Sequence, residues 1–124
     1  LKSDLVPVLT ACAKGELAGV ELEWHDKAAV CVVMASGGYP KDFVKGHAIS
    51  GLDAAALIED LTVFHAGTTE KDGAIVNNGG RVLGVTGLGS TVAEAIEKAY
   101  AGVAAIDWQD VHYRKDIGRK ALNR

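Results

Sequence analysis

The segment TVAEAIEKAYAGVAAI, residues 91–106, constrains the fold more than any other part of the sequence. Thr91 and Glu94 form a capping box, in which the two residues satisfy free N–H groups at the start of a helix. Apolar side chains then recur at helical spacing, with Tyr100 at the edge of the stripe: Val92, Ile96, Ala99, Val103 and Ile106. Gly102 weakens the helix by about 1 kcal/mol relative to Ala. A stripe of this length still predicts a helix that packs on a sheet.

The segments before this helix predict strands. AAVCVVMAS, residues 28–36, is a continuous apolar run, which is typical of a strand buried on both faces. TVFHAGT and AIVNN are predicted to pair through a hairpin turn that contains Asp72 and Gly73. RVLGVTG is the next strand. Strands joined by hairpins and followed by a helix favour an α+β fold, with a small, mostly antiparallel sheet and one long packed helix.

A predicted helix over residues 3–14 opens the chain, with Ser3 as its N-cap and Gly15 as its stop. A boundary between this incoming helix and a new domain falls near residues 15–27. Because the sequence has no initiator Met and begins at this helix, we expect a fragment of a longer chain. The last segment, DIGRKALNR, is predicted to form a final helical turn.

Composition argues against several classes of function. The net charge of −3 argues against general affinity for nucleic acid. No apolar run approaches the roughly 20 residues that a membrane helix needs, and the first residues lack the pattern of a signal peptide. Cys12 and Cys31 have no C-x-x-C spacing, which suits a reducing cytosol. We therefore expect a cytoplasmic protein with no nucleic-acid or membrane partner.

The stretch GVTGLGST, residues 84–91, matches part of the nucleotide-binding P-loop, G-x-x-x-x-G-K-[ST]. Ser90 stands where that loop has its lysine, so the charge that would reach the β- and γ-phosphates is missing. We interpret the glycines as a tight strand-to-helix turn, after which Thr91 caps the helix. A general anion site at the helix N-terminus remains the alternative.

Candidates for catalysis and metal binding are weak. The four histidines show no H-x-x-x-H pair and no cysteine pair nearby, so no metal site is predicted. Cys31 lies mid-strand among valines and is interpreted as an inert core residue. Ser36 lacks the first glycine of a G-x-S-x-G nucleophile motif. Carboxylates in the loop segments, such as Asp60, are interpreted as solvating those loops. No catalytic residue is predicted.

Two basic features are better candidates for a site. Arg81 follows Gly79 and Gly80, whose backbone can approach a ligand, and an arginine binds carboxylate or phosphate in bidentate fashion. Residues 112–124 carry a net charge of +4, and the rest of the chain carries −7. The tail contains one acidic residue, Asp116, and five basic residues: Arg114, Lys115, Arg119, Lys120 and Arg124. A surface arginine and a solvated helix end are equally good interpretations of these two features.

Four motifs, in this order, carry a resemblance to a known family: ASGGYPKDFVKG, FHAGT, NGGRVLGVTGLG and YRKDIG. Together they closely resemble the C-terminal domain of the phosphoribosylamine–glycine ligases, also called glycinamide ribonucleotide synthetases, of the ATP-grasp superfamily. The resemblance runs from about Lys27 to the end. It implies that residues 1–24 end the preceding ATP-grasp domain. Residues 25–124 would then form the C-terminal substrate-side domain, with a rudimentary hybrid-type fold.

The resemblance also implies a function for the intact enzyme. Such an enzyme joins phosphoribosylamine and glycine, with ATP and Mg or Mn, in the second step of de novo purine synthesis. Glycine would be activated as an acyl phosphate, which the amine attacks. The ATP-grasp domain supplies the ATP and metal sites, and its R-x-G-D-P-E motif is absent from this sequence. We therefore expect this fragment to bind no cofactor and to be inactive alone.

The site that the resemblance implies is a substrate-binding one. Gly79, Gly80 and Arg81 would hold the substrate phosphate while the domain closes the active site. Arg114 and Lys115 are weaker candidates, and Asp116 is expected to pair with a neighbouring arginine. The implied partners are phosphoribosylamine, glycine and the preceding ATP-grasp domain. Two alternatives stay open: a non-catalytic packing or self-association module, and a free-standing nucleotide-binding protein built on GVTGLGST.

Overall fold

The computed structural model describes residues 1–122, so Arg124 of the basic tail lies outside the described residues. Two short 3-10 segments, Leu17–Gly19 and Arg119–Ala121, accompany the main elements. The second of them is the final helical turn that the sequence predicts. In chain order the helices and strands are α1 (Leu5–Lys14), β1 (Ala28–Ser36), α2 (Leu52–Ala56), β2 (Leu61–His65), β3 (Thr68–Lys71), β4 (Ala74–Asn77), β5 (Arg81–Gly89), α3 (Val92–Ala105) and β6 (Val111–Tyr113).

A four-stranded sheet with the order β2-β5-β1-β6 forms the centre of the fold. All three pairings in this sheet are antiparallel. Strand β5 is paired on both sides, with Val85 opposite Val32 of β1 and opposite Val63 of β2. The predicted α+β class, with an antiparallel sheet and one long helix, is confirmed.

Helix α3 lies on one face of this sheet and buries the predicted stripe. Ala99 and Val103 are buried against core side chains of β1 and β5, such as Val32 and Val85. The Thr91 hydroxyl accepts from the N–H of Glu94 at 3.2 Å, so the predicted cap is confirmed. The Glu94 carboxylate reaches the N–H of Ser90, at 2.8 Å, which is one residue before the cap.

The glycines of GVTGLGST are strand residues, so our interpretation of them as a turn is wrong. Strand β5 runs to Gly89, and only Ser90 separates it from the N-cap of α3. A Cβ on Gly87 would lie 2.6 Å from the carbonyl oxygen of Ala95, and one on Gly89 would lie 2.6 Å from the Ala95 nitrogen. These glycines are needed because the helix backbone packs directly on the strand.

Strand β1 is buried on one face only from Ala29 to Met34, so the expectation of burial on both faces along the strand is wrong. Its burial alternates along the strand: Val32 and Met34 are fully buried, whereas Val33 is 44% exposed. Cys31 is also exposed, so it is not the core residue that the sequence predicts. The cause is that α3 covers one face of the sheet, and the described residues leave much of the other open.

The hairpin forms at the predicted turn but with a different partner strand. Strand β4 pairs with β3, and the two residues between them are Asp72 (φ 52°) and Gly73 (φ 77°). Positive φ at both positions is the signature of a type I′ turn. TVFH, which we expect to pair with AIVNN, forms β2 and pairs with β5 instead. The chain leaves the sheet at Gly67 before the hairpin starts.

The N-terminal helix is capped by Asp4 and not by Ser3 as predicted. The Asp4 carboxylate accepts from the N–H of Val6 at 2.9 Å, and Gly15 ends the helix as expected. The hydroxyl of Ser3 instead accepts from the N–H of Glu23 at 2.7 Å. This hydrogen bond links the residues before α1 to the residues that precede β1. Within residues 1–122, no helix has the length and the apolar character to cross a membrane.

One loop carboxylate does more than solvate its loop. Asp60 accepts hydrogen bonds from Lys27 at 2.7 Å and from Lys98 of α3 at 2.9 Å. These hydrogen bonds lower the pKa of Asp60 from 3.8 to about 2. These two ion pairs connect the start of β1 and the middle of α3 to the loop before β2.

Candidate functional site

Arg81 is the first residue of β5, at the edge of the open sheet face. It lies opposite Ala35 of β1, where the register of the β1–β5 pairing shifts after Met34. The side chain is exposed. Among residues 1–122, no carboxylate forms an ion pair with its guanidinium group. Its five N–H donors are therefore available to an external anion.

The two glycines before Arg81 are closely packed. A Cβ on Gly80 would overlap the ring of Tyr39, and a Cβ on Gly67 would lie 2.8 Å from the Cα atom of Gly79. The lack of a side chain at Gly79 and Gly80 therefore lets Gly67 and the Tyr39 ring pack closely against the chain before Arg81. The expectation that their backbone approaches a ligand stays a prediction.

Two hollows on the open face meet at Arg81. The larger, of about 510 Å³, is lined by Phe64 and Gly80 together with Val33, Tyr39 and Arg81. The smaller, of about 300 Å³, shares these last three residues and adds a second set: Cys31, Ala35, His112, Tyr113, Arg114 and Ile117. The structure therefore brings Gly80, Arg81 and Arg114 of the predicted site to one surface.

Arg114 differs from Arg81 in that its charge is already paired. Its Nε and Nη2 atoms donate to the Asp116 carboxylate at 2.9 and 2.6 Å, so the predicted ion pair is confirmed. The hydrogen bond to Asp116 raises the pKa of Arg114 and lowers the pKa of Asp116. The Tyr100 hydroxyl donates to the Arg114 carbonyl at 2.7 Å and accepts from the Ile117 N–H at 3.1 Å. Helix α3 thus sets the position of this segment.

Lys115 lines a separate hollow, of about 570 Å³. The lining there comes from the end of α3 and from β6, and includes Val103, Asp107 and Val111. Arg81 does not line this hollow. Lys115 is therefore one predicted site residue that lines neither hollow at Arg81, and Gly79 is the other.

The N-terminus of α3 is occupied by the protein's own side chains. Glu94 accepts from the Ser90 N–H, and the Thr91 hydroxyl accepts from the Glu94 N–H. A carboxylate therefore already lies where a bound anion would make these contacts. This geometry counts against both the anion site and the nucleotide-binding alternative at GVTGLGST.

Ser36 and Asn77 are buried polar residues near Arg81, and the sequence does not predict that they are buried there. Each is 1% exposed. Ser36, considered only as a nucleophile from sequence, donates its hydroxyl hydrogen to the carbonyl oxygen of Gly79 at 2.8 Å. Asn77 is predicted from sequence to lie at the end of a strand, and nothing in its sequence neighbours indicates that it is buried.

In the part of the chain that the structure describes, no cluster of three or more His, Cys, Asp or Glu residues has metal-binding geometry.

Comparison with known proteins decides the family. The family described as phosphoribosylglycinamide synthetase, C domain, matches residues 29–120. The chain belongs to this family. Phosphoribosylamine–glycine ligase of Rhodopirellula baltica is 51% identical to it over 98% of the chain, and the protein of the same name from Synechocystis sp. is 51% identical over the same share. The resemblance that the four motifs carry is confirmed.

A solved structure supports the same assignment. The crystal structure of phosphoribosylamine–glycine ligase from Thermotoga maritima superposes on 87% of this phosphoribosylglycinamide synthetase C domain, with a TM-score of 0.69 and 36% identity. The chain covers 27% of that structure. It spans 28–29% of the length of the two relatives named above. The match therefore concerns one domain of a larger ligase.

Proposed function

We propose that this chain is the substrate-side domain of a phosphoribosylamine–glycine ligase. That enzyme would make glycinamide ribonucleotide from phosphoribosylamine, glycine and ATP in de novo purine synthesis. Support comes from the family match over residues 29–120 and from relatives of that name that are about half identical to the whole chain. The two cysteines are free, which suits the reducing cytoplasm that is part of the proposal.

The role we assign to the domain is to hold the phosphate of the phosphoribosyl group at Arg81. The single observation that carries this role is that Arg81 is exposed, lies where two hollows meet and has no ion-pair partner within residues 1–122. Guanidinium groups bind phosphate through parallel N–H donors. Arg114 adds positive charge at the rim of the smaller hollow, although Asp116 balances much of it.

The contribution of the domain to catalysis is then one of orientation. Holding the phosphoribosyl group at its phosphate end restricts the position of the reacting amine, which lowers the entropic part of the barrier. We assign no acid–base residue to this chain. ATP and a divalent cation, Mg or Mn, would be bound by the rest of the enzyme, and this domain would close over the site.

The test is the substitution Arg81→Ala in a full-length ligase that contains this domain. A charged hydrogen-bonding contact contributes roughly 1.5–3 kcal/mol, so the KM for phosphoribosylamine should rise about 10- to 100-fold. The KM values for glycine and ATP should change little. Arg119→Ala is the matched control, because Arg119 is an exposed arginine that lines neither hollow at Arg81.

An unchanged KM for phosphoribosylamine in Arg81→Ala would contradict the phosphate role. The observation that favours a purely packing or self-associating module is the apolar character of the open face, where Phe64 is 58% exposed. Under that alternative, Phe64→Ser would weaken association between domains or copies, measured by sedimentation, and Arg81→Ala would leave all three KM values unchanged.

A further inference from the structure

A pair of buried polar side chains lies directly behind the glycine turn that precedes Arg81. Asn77 and Ser36 are each only 1% exposed, although asparagine and serine are usually found at the surface. A buried polar group costs free energy unless its donors and acceptors are paired. Here the donors and acceptors of both side chains have partners inside the protein.

Ser36 holds the carbonyl groups of both glycines. Its hydroxyl donates to the carbonyl oxygen of Gly79 at 2.8 Å, and its backbone N–H donates to the carbonyl oxygen of Gly80 at 2.8 Å. Arg81 follows immediately and pairs across the sheet with Ala35, the residue before Ser36. The point at which the Arg81 side chain leaves the sheet is therefore determined by contacts to Ser36.

Asn77 links Ser36 to a second segment, residues 44–47. One N–H of its amide donates to the Ser36 hydroxyl and the other to the carbonyl oxygen of Val44, both at 2.8 Å. Its side-chain oxygen accepts from the N–H of His47 at 2.7 Å. Its backbone also bonds this segment, accepting from the Gly46 N–H at 2.8 Å and donating to the His47 carbonyl at 3.0 Å. Asn77 thus joins this segment to the turn.

We propose that Ser36 and Asn77 are positioning residues for the phosphate site at Arg81. They make the glycine turn, residues 78–80, and the segment 44–47 one unit that a bound phosphate orders together. A fully paired buried network permits only one arrangement of its members, whereas apolar contacts tolerate several. The inference rests on the proposed function, because it assigns the unit to the site that holds the phosphoribosyl group.

The first test is Ser36→Ala in the full-length ligase. Loss of the hydroxyl frees the Gly79 carbonyl and leaves one Asn77 N–H without its acceptor, so Arg81 is held less well. We expect the KM for phosphoribosylamine to rise about 3- to 10-fold, with kcat and the KM values for glycine and ATP within twofold of the wild type. Ser50→Ala is the matched control, because it also removes a hydroxyl that donates to a backbone carbonyl, that of Asp107 at 3.0 Å. It should leave the KM values unchanged.

The second test needs no substitution. Ribose 5-phosphate retains the sugar and phosphate but lacks the amine. Added to the wild-type full-length ligase, it should slow amide hydrogen exchange at residues 78–82 and at residues 44–47 together. The hairpin turn at Asp72 and Gly73 serves as an internal reference and should exchange at an unchanged rate.

Three results separate the failure of this inference from the failure of the proposed function. If Arg81→Ala raises the KM for phosphoribosylamine and Ser36→Ala raises no KM, or raises all three equally, the proposed function stands and the positioning role is overturned. If ribose 5-phosphate protects residues 78–82 and not 44–47, the coupling through Asn77 is overturned. If Arg81→Ala leaves that KM unchanged, both the phosphate role and the positioning role fall.

Discussion

The two faces of the four-stranded sheet use the same strands for different tasks. On the closed face, Val32 and Val85 meet helix α3 in a core from which water is excluded. On the open face, Val33 remains 44% exposed and Arg81 stands between two hollows. Because side chains alternate along a strand, neighbouring residues of β1 belong to different environments. The closed face therefore determines stability, and the open face is where binding has to be sought.

The largest expected effect comes from a side chain placed between helix and sheet. Gly87→Ala puts a Cβ within 2.6 Å of the Ala95 carbonyl oxygen, and a backbone group can relieve such an overlap only by moving the helix. We expect a loss of about 3 kcal/mol in the free energy of unfolding, measured by urea denaturation.

Gly84→Ala is the matched control on the open face of the same strand. A Cβ there would approach only side chains, and the nearest atom is the Cys31 sulfur at 3.2 Å. We expect a change below about 1 kcal/mol. Equal losses for the two variants would contradict the division of the sheet into a closed and an open face.

A smaller effect separates two adjacent valines of β1. Val32 is fully buried, so Val32→Ala removes two methyl groups from the core and should cost about 2 kcal/mol. Val33 is 44% exposed, and Val33→Ala should cost about 0.5 kcal/mol. Both values come from thermal or urea unfolding of the two variants under the same conditions. A larger loss for Val33 would show that the open face is covered in the folded protein.

The smallest effect concerns the ionic contacts at the edge of the closed face. The folded-state pKa of Asp60, about 2, lies below its ordinary value of 3.8, so the charged form stabilises the fold above pH 4. That contribution is lost as the pH falls from 4 towards 2. The stability difference between wild type and Asp60→Asn should therefore be constant from pH 7 to 5 and shrink below pH 4. A difference that stays constant down to pH 3 would contradict the role of the ionised carboxylate.

Features that depend on short stretches of sequence are predictable. Helix α3 follows from its capping box and stripe, since both act within one or two turns of the chain. The turn at Asp72 and Gly73 follows from the two residues that accept positive φ. The strand that pairs with β4 cannot be predicted in this way. Its identity depends on the position, at Gly67, where the chain leaves the four-stranded sheet.

Features that depend on contacts between distant segments are not predictable from local patterns. The apolar run of β1 does not indicate which face α3 will cover, so Cys31 and Val33 are assigned to the core by mistake. Strand β6 has only three residues and pairs with β1, about 80 residues earlier in the chain, so it gives no local signal. The burial of Asn77 arises from partners at Ser36 and residues 44–47. Arg81 enters as a candidate from its sequence neighbours, and only the structure shows that it lacks an ion-pair partner within residues 1–122.

The glycines of β5 have a consequence for protein design on this backbone. Gly87 and Gly89 set the spacing between helix and sheet, because any side chain at either position would overlap the backbone of α3. Gly84, three residues earlier in the same strand, meets no such limit. A designer who wished to reshape the open face could vary position 84 and its neighbours on that face. Positions 87 and 89 would be kept as glycine, because a side chain at either one destabilises the packing of α3 on the sheet.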